Sequence, residues 1–270
     1  MVNYAPLTLD EALSVRSSME VVPYAGGTDL MVENRKDVTY LFLNRIDELK
    51  QIREDDRYIR IGAGVTFTQA LGCEFVPQIM KDALAKIAAP AIRNAGTFGG
   101  NLGNGSAKAD SVLIEYAMDA KIVLRSKDGE RIVDVDRFYR GNRDIDLNKD
   151  ELITEILLPK DPIGTYRYQK VGGRNALAIS RISFAGICKT DGEKVTNFAV
   201  AFGAVSATVL RFKEIEARLI GKTVKECAAM KEEILKQYSD AMVLTRGRVS
   251  AEYRKAVCTN LLRDFLDSVF

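Results

Sequence analysis

Histidine and tryptophan are both absent from this chain of 270 residues. Without histidine there is no Ser-His-Asp or Cys-His relay, no HExxH zinc site and no histidyl attachment point for a prosthetic group. The four cysteines, Cys73, Cys188, Cys227 and Cys258, are scattered and none sits in a CxxC pair, so neither iron–sulfur nor structural zinc spacing is present. They read as reduced thiols of a core or a helix face. No apolar run is long enough to cross a bilayer, and the opening MVNYAPLTLDEAL lacks the basic-then-apolar layout of a signal peptide; a cytoplasmic protein is the expectation. Charge of one sign is missing too. The 39 basic and 37 acidic side chains leave +2 with no block of either kind, so a nucleic-acid partner is not expected. Repeats and low-complexity tracts are lacking. If a chain of this composition takes part in redox chemistry, a bound cofactor must do the hard step while the protein positions and tunes it.

What the chain does have is glycine in two places. The stretch Ala88–Asp110, AAPAIRNAGTFGGNLGNGSAKAD, gathers five of the 20 glycines (Gly96, Gly99, Gly100, Gly103 and Gly105) beside Thr97, Asn101, Asn104 and Ser106. Glycines expose backbone N–H groups and admit angles closed to other residues, while the polar side chains add donors. Upstream, YAGGTDLMVENR, from Tyr24 to Arg35, follows the apolar pair Val21 and Val22 and precedes a helical pattern from about Asp29. Strand, glycine turn, helix is the arrangement in which amides and a helix N-terminus meet a phosphate. Either segment alone also reads as an ordinary turn, and GAGVTF, at Gly62 and Gly64, reads as a strand-to-helix corner or a third contact. The two together favour a phosphate-bearing ligand. Neither fits GxGxxG or GxxxxGK[ST], so an ordinary Rossmann fingerprint and a P-loop ATPase are unsupported.

Patterning around these segments predicts a mixed chain, long enough to bury a sizeable core in more than one unit. Thr8-Leu9-Asp10-Glu11 is a capping box for a short helix through Leu13 and Val15. Strands are predicted over 21–24, 38–43 and 58–62. Ile79, Met80, Leu84, Ile87 and Ala91 predict a helix over 76–91 that Pro90 ends or kinks. A further helix spans 109–118, a hairpin brackets SKDGE between 121–124 and 132–135, and a strand covers 151–158. Prolines number only six, and Pro159 and Pro162 in LPKDPIGT mark the domain boundary. Beyond it come strands over 166–171, 180–189 and 194–204, then helices over 210–219, 224–238 and 251–265. Strands followed by helices predict a separate α+β domain with a three-stranded sheet.

YAGGTDL and IRNAGTFGGNLGNGSAKADS, followed by MDAKIVL, resemble the two FAD-binding segments of the flavoprotein subunit of the molybdenum hydroxylases, the family of xanthine, nicotinate and aerobic CO dehydrogenases. AFGAVSATVLRFKEIEARLIGKT, with VSAEYRK, resembles that subunit's C-terminal domain, and the matches run from about Tyr24 to Lys255 in the family's order. The resemblance implies an α+β fold: a two-subdomain FAD-binding fold of the vanillyl-alcohol-oxidase type over 1–162 (subdomains about 1–55 and 56–162), then the C-terminal domain over 163–270. It implies non-covalent FAD, with Ala25, Gly26, Gly27, Thr28, Asp29 and Leu30 around the pyrophosphate. Thr97, Phe98, Gly99, Gly100 and Asn101 fall on its pyrophosphate and ribityl side, and Ala88 and Ile92 near the flavin. Asp110 matches an acidic position that accepts from a ribose hydroxyl, or it caps the following helix. Ile153 matches an apolar position beside the flavin. Lys170, in a K-x-x-x-R pattern with Arg174, either stabilises the reduced flavin at its N1–C2=O edge or faces solvent. The chain departs from the family at SAKADSVLIEYAMDA, where Lys108, Glu115 and Tyr116 interrupt an apolar run, and at VLTRGRVSAEYR, where an Asp and a Pro are missing.

By the same resemblance the chain is the xanthine dehydrogenase-like flavoprotein subunit of a hetero-oligomeric oxidoreductase acting on CH or CH2 groups. A large subunit with the molybdenum cofactor oxidises a purine or similar N-heterocycle, a small [2Fe-2S] subunit carries electrons, and FAD hands them to NAD(P)+ or another acceptor. No residue is assigned as acid, base or metal ligand, so alone the chain is not expected to hydroxylate. Two other readings stand beside this one: a free-standing FAD oxidoreductase of the vanillyl-alcohol-oxidase type, which needs a substrate-side acid or base, and a flavin-free scaffold.

Overall fold

A computed structural model describes residues 2–33 and 37–270, so Asn34 and Arg35 at the end of the first glycine segment lie outside the described residues. The chain forms two compact units. The first runs to Ser106 and resumes over Asp119–Lys160; the second joins Ala107–Met118 to Asp161–Phe270.

In the first unit α1 (Leu9–Ser18) starts at Thr8, whose hydroxyl accepts from the Glu11 amide at 3.3 Å. The expected box is half made: the Glu11 carboxylate reaches one residue further, to the Leu7 amide at 2.9 Å. Leu9, Ala12 and Leu13 pack with Val21, Leu41, Leu43, Ile46 and Leu49. Those side chains come from β1 (Val22–Tyr24), β2 (Tyr40–Phe42) and their flanks, the two strands pairing in parallel with Val22 opposite Tyr40. Between them lies α2 (Leu30–Glu33). An antiparallel five-stranded sheet follows, ordered β3 (Ile52–Glu54), β4 (Tyr58–Gly62), β9 (Leu152–Pro159), β5 (Lys121–Arg125) and β6 (Glu130–Asp134). β9 is central and nearly all buried, which accounts for the continuous apolar run in LITEILLP.

Between β4 and β5 come α3 (Phe67–Gly72), α4 (Gln78–Ala85), α5 (Pro90–Arg93) and α6 (Phe98–Gly103) in the first unit, and α7 (Asp110–Ala117) in the second. The predicted 76–91 helix is therefore two. It stops at Ala85, Ala88 turns left-handed (φ 40°), and Pro90 begins α5 instead of ending a helix, since the first helical position requires no N–H. The central glycine stretch, expected as loop, contains α6: Thr97 caps it and the burial of Phe98 and Leu102 outweighs the poor helix propensity of Gly99 and Gly100. After β6 the chain makes α8 (Val135–Phe138) and a small hairpin, β7 (Tyr139–Gly141) and β8 (Asp144–Ile145), which composition gave no reason to expect.

The second unit is built on an antiparallel sheet in the order β10 (Thr165–Val171), β11 (Ile182–Thr190), β12 (Val195–Gly203) and β13 (Leu210–Arg211). It has four strands where three were expected. Leu210 and Arg211 extend the sheet, and the predicted 210–219 helix shrinks to α9 (Lys213–Glu216). A buried pair fixes this: Glu216 accepts from the Val200 amide at 2.8 Å and from Arg211 Nε at 3.0 Å. The long helices α10 (Val224–Ala241) and α11 (Ala251–Val269) supply Cys227, Ile234, Leu235, Tyr238, Cys258, Leu262 and Phe265 to a core shared with Phe184, Phe198 and Phe202. Among the described residues no helix is long and apolar enough to cross a membrane.

Helix α7 packs against β11 and β12, and all eight of its residues are buried, Glu115 included. Burial pushes the Glu115 carboxyl up to about 8, opposed only by the Ser111 hydroxyl one turn earlier. At neutral pH the group is held largely as the neutral acid. Because its folded value lies above its unfolded value of 4.5, its contribution to stability is complete below pH 4.5 and is lost as pH rises towards 8, at up to about 1.4 kcal/mol per pH unit. Glu115→Gln should flatten that dependence and raise the melting temperature most at pH 8; parallel pH profiles for both proteins would contradict the assignment.

Candidate functional site

The first unit contains a cavity of about 760 Å³, within the range of small-molecule sites. The first glycine turn and the central glycine segment line it together. How the two meet explains the glycines. Any side chain on Gly26 would place its Cβ 1.8 Å from the Ala95 carbonyl oxygen, so the turn is seated directly on the backbone that leads into α6. Gly27 is left-handed (φ 68°) and lies against the Tyr24 ring.

This seating leaves the turn's donors unused. The amides of Ala25, Gly26, Gly27, Thr28, Asp29 and Leu30 donate to no other described residue, although the Gly27 and Asp29 carbonyls accept from Met31, Val32 and Glu33 as α2 begins. The central segment is the reverse. Its Phe98 and Gly99 amides donate to Val65 and Ala63 carbonyls at 3.1 and 2.8 Å, Gly100 to Thr97 Oγ1 at 3.0 Å, and Asn101 to the Thr97 carbonyl at 2.9 Å. Six amides in one turn with no acceptor among the described residues form a patch of partial positive charge suited to an anion. What the central segment offers instead is the Thr97 hydroxyl, the Asn101 side chain and a close-packed floor.

Of the residues singled out by sequence, Ala25 to Leu30, Thr97, Gly99, Gly100, Asn101 and Ile153 line the cavity. Ile153 stands 3.7 Å from where a side chain on Gly103 would begin. Phe98 does not: it is wholly buried, edge-on to Phe67 with ring centroids 5.6 Å apart. Ala88 sits in the left-handed turn before α5, its carbonyl accepting from Arg93 at 2.9 Å, and Ile92 is 42% exposed; neither lines the cavity. Asp110 and Lys170 belong to the second unit and pair there, Nζ to Oδ2 at 2.7 Å, both nearly buried. Ser180 donates to the other Asp110 oxygen at 2.7 Å, and burial reinforced by the Asp110 charge raises the Tyr168 hydroxyl. Asp110 is thus the first residue of α7 and not its cap, which is Ala109, and Lys170 does not face solvent.

Sequence reasoning missed three cations on the cavity wall, Arg16, Lys50 and Arg143. Arg16 donates to the Val21 carbonyl and, at 3.2 Å, to that of Glu151, tying together the chain segments that enter β1 and β9. Burial lowers its pKa, with Asp150 and Glu20 opposing. An arginine in a helical pattern reads as a solvated face, so nothing in the sequence flagged it.

Gly26→Ala should be the most damaging single methyl in the unit, since backbone and not a flexible side chain must yield. The expected loss is about 1–3 kcal/mol, seen as a lower melting temperature; an unchanged melting temperature would show that the two segments do not touch.

Residues 2–161 match the family described as FAD binding domain in molybdopterin dehydrogenase, and residues 166–269 match the CO dehydrogenase flavoprotein C-terminal domain. The chain is 31% identical to the nicotinate dehydrogenase FAD-subunit of Eubacterium barkeri, covering 98% of this chain and 96% of that one. It is 30% identical to the xanthine dehydrogenase FAD-binding subunit of Escherichia coli O157:H7, covering 85% and 82%. Its fold is similar to that of a chain of carbon monoxide dehydrogenase from Hydrogenophaga pseudoflava, with a TM-score of 0.89 at 25% identity, covering 100% and 98%.

Proposed function

We infer that this chain, which belongs to the family of FAD-binding flavoprotein subunits of the molybdenum hydroxylases, holds FAD in the first-unit cavity as the electron-transfer subunit of a multi-subunit oxidoreductase. The observation that carries the assignment is the set of six amides from Ala25 to Leu30, lining that cavity and unengaged among the described residues. A dinucleotide diphosphate is a doubly charged anion, and backbone amides satisfy it without a buried counter-ion. Gly26 and Gly27 let the turn approach it, Thr28 and Thr97 add hydroxyls, Asn101 adds an amide, and Ile153 closes an apolar wall. Asp110 and Lys170 are carried into the site by family resemblance only.

When bound, FAD supplies a centre that accepts and releases electrons singly or in pairs, which suits a subunit standing between iron–sulfur clusters and a two-electron acceptor such as NAD(P)+. The chain's own part is to bind, orient and shield that group. No histidine, CxxC pair or candidate molybdenum ligand set supplies the other centres in this sequence. Partner subunits, a large one with the molybdenum cofactor and a small one with [2Fe-2S] clusters, would therefore complete the assembly. The relatives' names, FAD-subunit and FAD-binding subunit, support that reading. A purine or similar N-heterocycle is the substrate class we assign to the assembly, and NAD(P)+ the acceptor.

The test is the visible spectrum of the purified chain before and after adding FAD, then on anaerobic addition of NADH. An oxidised-flavin spectrum that NADH bleaches is expected. No flavin uptake at saturating FAD would contradict the site, and a bound flavin that NADH leaves oxidised would contradict the acceptor.

A further inference from the structure

Four of the cavity's side chains do something the amide cradle does not require. Asp29 and Glu33, both on the first glycine turn and its helix, place two carboxylates on the wall of a site that we read as binding an anion. One carboxylate is met from the far end of the central segment and the other from the turn between β7 and β8. Asn104 Nδ2 donates to Asp29 Oδ2 at 2.7 Å, and Arg143 Nη1 bonds Glu33 Oε1 at 2.8 Å.

The backbone behind Arg143 is unusual. Arg143 stands in the tight turn between β7 and β8 at φ 59°, a left-handed conformation that costs a side-chain-bearing residue energy and glycine none. Its amide donates to the Gly105 carbonyl at 2.9 Å. Gly105 is left-handed as well, and a side chain there would begin 2.8 Å from the Arg143 Cα. The hairpin tip is therefore pressed onto the chain just beyond α6, and from that anchor the guanidinium reaches across to α2. With 60% of the Arg143 side chain exposed, the bridge to Glu33 is one that solvent and salt can open.

We propose that Arg143 is a positioning residue for the dinucleotide, acting through Glu33. It offsets the Glu33 charge beside the diphosphate, and it straps the first glycine turn to the central segment so that the turn's amides stay closed on their ligand. The proposal rests on the FAD reading above. It explains why arginine occupies a position whose backbone favours glycine.

The test uses the full chain and FAD itself, with affinity and release rate read from flavin fluorescence, beside the melting temperature of the FAD-free protein. Arg143→Gly removes the side chain while relieving the left-handed backbone, so the FAD-free protein should melt no lower than wild type. FAD should nonetheless bind roughly two- to fivefold more weakly, with faster release. Glu33→Gln in the same background should restore part of the loss, because the charge that Arg143 offsets is then gone. Wild-type affinity and release in Arg143→Gly would overturn the proposal. So would a loss accompanied by a lower melting temperature, or a double variant no better than the single one. A wild-type chain that takes up no FAD would overturn the flavin reading and this inference together, whereas a loss of the variant effect alone would overturn only the inference.

Discussion

Everything at the site depends on one close contact, the Gly26 backbone lying on the Ala95 carbonyl. Because no side chain intervenes, the first glycine turn packs directly on that backbone, its carbonyls and carboxylates take up the hydrogen bonds that hold it, and its six amides donate to no described residue. Buried or half-buried amides are normally paired, so a row of unpaired ones around a cavity is a strong statement about what the cavity holds. The central segment has the opposite economy. Its amides are consumed by α6 and by the Ala63–Val65 corner, and it serves as the rigid base on which the turn rests.

Charge around the site follows from this division. The amides offer partial positive charge without cations, which fits a chain whose acidic and basic side chains nearly balance. The full cations on the wall are committed elsewhere: Arg16 to two carbonyls, Lys50 to Asp47 and Arg143 to Glu33. In the second unit Asp110 and Lys170 likewise neutralise each other, with Ser180 fixing the carboxylate. A lysine so paired presents a dipole more than a net charge.

Much of this was legible in the sequence, and the exceptions have physical causes. The strand over 58–62 reads to the residue because it alternates, and the hairpin around SKDGE to within two residues because that turn sits between two apolar runs. The two glycine segments announced the site by composition. Their division of labour could not be read, since Gly99 and Gly100 look permissive in sequence and become helical only when Thr97 caps them and Phe98 and Leu102 are buried. Pro90 was misplaced for a similar reason: a proline that breaks one helix also opens the next. Arg16 and Arg143 were invisible because their roles depend on contacts 135 and 110 residues away in the chain.

Amide hydrogen exchange, residue by residue, tests the central claim most directly. Without FAD the amides of Ala25 to Leu30 should exchange fast while those of Phe98 to Asn101 are already protected; adding FAD should slow the first set sharply and change the second little. Protection of Ala25 to Leu30 before FAD is added, or no change there when FAD binds, would contradict the account.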